Sequence, residues 1–358
     1  MFHALLWLCL CIHQQAAEPS LSPDAAASLQ SGLDAENRND LDQAIAAFRK
    51  AADLAPASSE VFLHLGDAYM KKRDYAASIA PLKRAVELNP DSLPAHQLLG
   101  YALLAEGYAS EAIPHLTMVH EDGALGIAQL QAGQPAEAVA NLQAALAKAP
   151  DDPNLLFYLS RASSALSEET SDKLLVTSPD GARAHQVRGQ ADYTLKIFPD
   201  AEKEYQQAIA LRPDLPGLRL ELGRVFAAES EWEKAAEEFR AEAKLQPGNA
   251  EAAFRLGDAL LQLGKMKEAE AELRRSDSLR PDMPETLYAL GRAAAIDDPN
   301  VAEHALTRVI ELEKESPLAA QAYLALAGVH RRRGKPDQAA HDLQEYRRIQ
   351  ALAAHSPK

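Results

Sequence analysis

The sequence predicts an all-α chain of stacked helix pairs, and three observations carry that expectation. Glycines recur at Gly32, Gly66 and Gly100, and again at Gly189, Gly223, Gly257 and Gly291, each step within a group being 34 residues. Twelve places after each glycine, or one place off, stands a small residue: Ala44, Ser78, Ala112, Ala201, Ala235, Ala269 and, after one deletion, Ala302. Four places later comes a large one: Phe48, Leu82, Leu116, Tyr205, Phe239, Leu273 or Leu306. Prolines close the units at Pro56, Pro90, Pro150, Pro179, Pro213, Pro247 and Pro281, the last three steps again being 34. Composition agrees, because aromatics at only 6% beside abundant alanine suit close-packed helices better than sheet.

The physics of the spacing is that of a helix pair. Residues three, four and seven apart share one helical face, so Ala235, Phe239 and Glu242 form a stripe on a second helix while Gly223 lies on the first. Small residues at the crossing let two backbones approach, the large residue is expected to fill the space between neighbouring pairs, and the prolines turn the chain back. One pair cannot bury both its faces, whereas a stack can.

Taken in chain order, ten units are expected, beginning near Ala25, Ser59, Leu93, Val119, Pro153, Ala182, Pro216, Ala250, Pro284 and Ala320. They fill residues 25–352, followed by a tail at 353–358. The register slips within 119–180. Gly100 to Gly126 is a step of only 26, and Pro150 to Pro179 spans 29, with Ser160 in the glycine place and Ser167, Glu168, Glu169 and Thr170 at the expected inter-helix turn. Two readings stay open there: deletions that tilt one helix pair, or a hinge between two sub-solenoids. Pro81 and Pro114 fall inside second helices, where each removes one hydrogen bond and favours a bend.

Ahead of the repeats, Ala4 to Ile12 is an unbroken apolar run followed by His13, Gln14, Gln15, Ala16 and Ala17. It is too short to span a bilayer and fits a signal peptide over residues 1–17, with a linker at 18–24. The expected location is therefore exported, periplasmic or secreted in a bacterium; without a working signal the chain would stay cytoplasmic. Cys9 and Cys11 are the only cysteines, so cleavage would leave a chain with no disulfide, thiolate metal site or thiol nucleophile. Trp7, Leu8 and Leu10 disfavour lipid attachment there. No second stretch is apolar enough to suggest a transmembrane segment.

The unit from Pro216, with Leu222-Gly223 and Phe226 on its first helix and Ala235, Phe239 and Pro247 completing its second, resembles the tetratricopeptide repeat family. The bulky residue usual near the start is replaced by Arg219 here, and by His96 or His185 elsewhere. The resemblance implies a right-handed superhelical α-solenoid of about ten units, some degenerate, with a concave groove lined by the second, fifth, ninth, twelfth and thirteenth places of each first helix. In the C-terminal half these places hold Arg183, Gln186, Gln190, Tyr193, Arg224, Phe254, Asp258, Tyr288, Arg292 and Arg331. Arginine offers paired donors to carboxylates and the aromatics offer apolar area, which suits an extended acidic peptide. The Lys/Asn clamp by which some relatives hold a chaperone's terminal carboxylate is missing, since Leu63, Asp67, Gln97 and Tyr101 occupy the matching places.

A formal charge of -15 disfavours nucleic acid as a partner. The chain has no P-loop, because Gly264-Lys265 is followed by Met266, and His120-Glu121 is followed by Asp122, Gly123 and Ala124 rather than a zinc-site histidine. No nucleophile elbow appears, and the remaining histidines are scattered over separate units. Neither metal nor cofactor is implied. The expectation is a non-enzymatic scaffold that binds partner proteins or extended peptides in an envelope or secretion assembly. The alternative is an accessory subunit recruiting substrate to a partner enzyme such as a glycan-synthesis or transferase system.

Overall fold

A computed structural model describes residues 20–355, and all its regular secondary structure is α-helical. The expected signal segment with Cys9 and Cys11 lies outside the described residues, as does the end of the expected tail, 356–358. The chain divides into two compact units between Thr170 and Ser171.

In the first unit the helices run as pairs: α1 (Pro23–Asn37) with α2 (Leu41–Leu54), α3 (Ser59–Lys71) with α4 (Tyr75–Leu88), α5 (Leu93–Ala105) with α6 (Ala109–Met118), and α7 (Asp122–Gln131) with α8 (Pro135–Lys148). A single helix, α9 (Pro153–Thr177), follows, and the division between the units falls within it. The second unit continues with α10 (Ala182–Thr194) and α11 (Phe198–Leu211), α12 (Leu218–Ala228) and α13 (Trp232–Leu245), α14 (Ala250–Gln262) and α15 (Met266–Leu279), α16 (Pro284–Ala294) and α17 (Pro299–Glu313), and α18 (Pro317–Arg332) and α19 (Pro336–His355). Helix starts fall within three residues of the sequence reading. The largest offsets are at α7, which begins at Asp122 rather than near Val119, and at α18, which begins at Pro317, capped by Ser316, rather than near Ala320. α1 likewise takes in the last two places of the expected linker, because Ser22 accepts a hydrogen bond from Ala25 N–H and caps the helix.

The repeating contact is glycine against the large residue of its own pair. A Cβ built on Gly32 would lie 2.4 Å from the Phe48 ring, on Gly66 2.4 Å from Leu82, on Gly223 2.5 Å from Phe239 and on Gly291 2.5 Å from Leu306. The large residue therefore seals its own pair first. It does not sit chiefly between neighbouring pairs, as the spacing alone suggested. Phe48, Leu82, Leu116, Leu142, Tyr205, Phe239, Leu273 and Leu306 are all buried, so both helices of a pair are held at the closest approach a bare backbone permits.

The turn between paired helices carries a second constraint. The residue seven places after the glycine has positive φ in Asn39, Arg73, Gly107, Gly133, Lys196, Ser230 and Gly264, at 60°, 61°, 82°, 75°, 61°, 63° and 71°. Glycine adopts this left-handed conformation without steric cost, whereas Arg73 and Lys196 hold it against their own Cβ.

The fifth unit departs from expectation. No turn forms at Ser167–Thr170, because α9 runs straight through it as one helix of 25 residues. Two local reasons are visible. Ser160 replaces the glycine that would admit a second helix, and the place seven residues on is Ser167, with no glycine nearby to take the left-handed turn. Thr170 Oγ1 instead donates to the Leu166 and Ser167 carbonyls, a local bond compatible with continued helix. The described chain is thus nine helix pairs and one unpaired helix. Leu155, Tyr158, Leu159 and Ala162 of α9 pack against Ala138 and Leu142. The short step from Gly100 to Gly126 falls on α6, at the end of the third unit, and α7, at the start of the fourth, each of 10 residues. Helices α4 and α6 run on through Pro81 and Pro114.

The replaced first-helix residues act as polar straps within pairs. His96 meets His115, His185 meets Glu204 and Arg219 meets Glu238, each 19 residues apart. The final unit is held by buried His330, whose Nδ1 lies 2.6 Å from buried Asp342 and whose Nε2 lies 3.4 Å from Glu303.

Two expected outcomes follow from the packing. Gly223→Leu should destabilise the chain by on the order of 1–3 kcal/mol through overpacking, and Phe239→Ala by about 3–5 kcal/mol through a cavity, read as lower urea midpoints. Lys196→Gly should do the opposite, adding about 0.5–1 kcal/mol by relieving the left-handed turn, with the helical circular-dichroism signal unchanged.

Candidate functional site

In the second unit, the first helices α10, α12, α14, α16 and α18 present their free faces side by side. Between α10, α12 and α14 lies a cleft of about 240 Å³ whose walls include Tyr193, Arg224, Trp232, Phe239, Arg255 and Asp258. Three of the ten residues singled out by sequence, Tyr193, Arg224 and Asp258, meet there.

Arg224 is the centre of the cleft. Its guanidinium lies over the Tyr193 ring, 5.4 Å from the centroid, and donates to Glu221 from the turn below, 3.2 Å away. Burial pushes the Glu221 carboxyl above its ordinary range, an effect that Arg224 only partly offsets. The Glu221 carboxylate is thus held where its charge is poorly solvated, with Arg224 as its partner. Tyr205, beneath the same region, is fully buried, and burial raises its hydroxyl well above the usual tyrosine range.

The arrangement of cation over ring repeats along the helix faces. Arg255 lies over Phe254 at 5.6 Å and Arg292 over Tyr288 at 5.8 Å. Arg255 pairs with Glu251 at 3.5 Å while its buried Nε takes no hydrogen bond, and among the described residues no carboxylate is paired with exposed Arg292. Acidic neighbours thus hold Arg224, through Glu221, and Arg255, through Glu251, whereas Arg292 rests on its own ring. Arginine on an aromatic face keeps its in-plane donors available, so each pair offers both apolar area and free N–H groups.

The other expected residues are more dispersed. Arg183 is exposed and donates to Gln186 at the start of α10. Gln190 donates to Thr194 and accepts from Tyr205 Oη at 3.5 Å. Arg331 is exposed near the end of α18. None of Arg183, Gln186, Gln190 and Arg331 lines the cleft. Trp232 and Arg255 do line it and were missed by the sequence reading. Trp232 opens the second helix rather than the first, and Arg255 lies one place from Phe254, outside the five positions considered.

Residues 29–93, 66–118, 124–168, 220–284 and 288–354 match the tetratricopeptide repeat family. The chain belongs to that family. No curated protein matches it. Among solved structures, it is similar to MamA 41-end from Desulfovibrio magneticus RS-1 (19% identity, 48% of this chain and 97% of that one, TM-score 0.46). It is also similar to YrrB, described as a tetratricopeptide protein with an unusual peptide-binding site (18% identity, 51% and 92%, TM-score 0.47), and to yeast Tom70 (13% identity, 91% and 92%, TM-score 0.38). The repeat positions of the tetratricopeptide unit account for which residues are buried.

Among the described residues, no group of three or more His, Cys, Asp or Glu side chains is placed to hold a metal ion, and no helix is long and apolar enough to cross a membrane. The histidines are less scattered than the sequence suggested. His96 and His115 approach Nδ1 to Nδ1 at 2.8 Å, and His96 Nε2 lies 2.8 Å from the Pro90 carbonyl. A carbonyl only accepts, so His96 carries its proton on Nε2 and takes a hydrogen bond from His115 Nδ1–H.

Burial lowers the His115 affinity for a proton, and His96 and Lys83 lower it further, against an opposing effect of Glu111. A depressed histidine is protonated more readily in the unfolded chain, so its contribution to stability is present above the ordinary histidine range and is lost as pH falls through it. The urea midpoint of the first unit's transition should therefore drop between pH 7.5 and 5.5, and His115→Gln should lessen that drop. An equal drop in both proteins would exclude His115 as its source.

Proposed function

We propose that this chain is a non-catalytic scaffold that holds an extended acidic segment of a partner protein along the first-helix face of its second unit, within an exported envelope or secretion assembly. The observation that carries the reading is the run of arginines laid on aromatic rings, Arg224 on Tyr193, Arg255 on Phe254 and Arg292 on Tyr288, with a cleft at its start. An acidic side chain can take the in-plane donors of each guanidinium while its neighbours rest on exposed ring edges. In a chain of formal charge -15, this strip is a local exception that selects against basic segments. Membership of the tetratricopeptide family supports a protein-interaction role. The exported setting rests on the apolar run Ala4–Ile12.

The reading is tested with two fluorescent twelve-residue peptides, one alternating Glu with Leu and Phe, the other alternating Lys with the same residues. The acidic peptide should bind more tightly, and its affinity should fall as salt rises. Arg224→Glu combined with Arg292→Glu should weaken it by about tenfold or more at unchanged thermal midpoint. Glu221→Gln should strengthen it by freeing Arg224 from its internal partner. Equal binding of both peptides, or a charge-reversed variant that binds as well as the parent, would remove this face as the binding surface.

A further inference from the structure

A different feature is a cavity of about 790 Å³ between the second helices α15 and α17 and the outer side of the first helix α16. Its walls carry the acidic Asp277, Asp282 and Glu311 and the basic Arg308 and Arg274, the latter itself paired with Glu270 and Asp298. Pro281 and His304 also line it, and Leu287 and Leu290 are buried beneath. It is independent of the Arg/aromatic strip on the first helices.

An internal comparison shows what such a place accommodates. The residue two positions after the large repeat residue is arginine in three units: Arg84 after Leu82, Arg275 after Leu273 and Arg308 after Leu306. In two of them the guanidinium reaches back to the closing proline of the preceding repeat. Arg84 donates to the Pro56 carbonyl at 3.3 Å, and Arg275 donates to the Pro247 carbonyl at 2.7 Å and the Ala243 carbonyl at 3.2 Å. Two further closing prolines are satisfied by other cationic or imidazole groups, Pro90 by His96 and Pro179 by Arg188.

Arg308 breaks the pattern. It forms two hydrogen bonds to Asp282, at 2.8 and 2.9 Å, and a third to Glu311. Asp282 stands where the preceding repeat has Gly248, so a carboxylate is present here that the Arg275 site lacks. That pairing holds the Asp282 carboxyl below its usual range. The positions equivalent to Ala243 and Pro247 are Asp277 and Pro281, and both line the cavity. Among the described residues, the Pro281 carbonyl receives no donor and the half-buried Asp277 carboxylate has no partner. The C-terminus of α15 faces the same region, and its dipole favours positive charge.

We infer that this cavity receives an arginine side chain from a partner polypeptide, which takes the place that Arg275 fills in the repeat before. The guanidinium donates to the Pro281 carbonyl and pairs with Asp277, while its aliphatic stem lies over Leu287 and Leu290. The volume admits the side chain and the segment around it. The partner is thus bound on two faces by opposite charge, an acidic stretch on the first helices and an arginine on the second.

Calorimetric titration of the full chain with acetyl-Leu-Arg-Leu-amide should show binding that acetyl-Leu-citrulline-Leu-amide, alike in shape but uncharged, lacks by about tenfold or more. Asp277→Asn should weaken the arginine peptide to a similar extent at unchanged thermal midpoint, because its carboxylate supports nothing else. Asp282→Gly should weaken it also, by releasing Arg308 to swing onto Pro281 and close the cavity, and glycine suits the positive φ of 61° at that place. Arg224→Glu with Arg292→Glu should leave the arginine peptide unaffected, which separates this site from the first-helix strip. No binding, equal binding of the citrulline peptide, equal binding of acetyl-Leu-Lys-Leu-amide, or an unchanged Asp277→Asn affinity would each overturn the assignment.

Discussion

The structure depends on one repeated contact, a glycine on the first helix of a pair meeting a large side chain on the second. With no Cβ at Gly32, Gly66, Gly223 or Gly291, the facing ring or leucine approaches the backbone to a distance that even alanine would forbid. That approach fixes the separation of the two helices, and the separation fixes which side chains are left on the outer faces. Everything further along, including the strip of arginines and the cavity on the opposite face, is built on side chains that this contact leaves unused.

The fifth unit shows what happens when the contact is withdrawn. Ser160 puts an oxygen-bearing side chain where the backbone should be bare, no left-handed glycine follows, and the chain continues as helix through Thr177 instead of turning. Helix propagation is favourable once begun, so a turn has to be imposed by residues that stop it. The compact units divide within this helix, where the pairing that links repeat to repeat has lapsed.

Residues whose role is steric were legible in the sequence, because sterics acts at fixed spacing. The glycine, small and large positions fall where the 34-residue period puts them, and the expected start at Ala250 is capped by Asn249. Residues whose role depends on where a flexible side chain travels were less legible. Trp232 enters the cleft from the second helix, Arg255 turns onto Phe254 next to it, and His96 finds His115 across the pair. One signal was available and unread: the 19-residue separation shared by His96/His115, His185/Glu204 and Arg219/Glu238, which marks the departures from the bulky position as polar straps.

The two halves of each cation–ring pair belong to different parts of the energetics. Tyr193, Phe254 and Tyr288 are half-buried and pack against the core of the second unit, so each contributes apolar area to folding as well as a surface for binding. Arg224 and Arg292 add little to that core and are held in place by the rings beneath them. The rings therefore fix the position of the charge, and the charge can change without disturbing the stack. The same division holds on the opposite face, where Arg275 is tied to the preceding repeat by two carbonyls while Arg308, drawn aside by Asp282 and Glu311, leaves an equivalent place open. In a repeat chain each unit repeats the same steric frame, so a one-residue difference such as Asp282 for Gly248 turns an internal contact into an available site without cost to the frame.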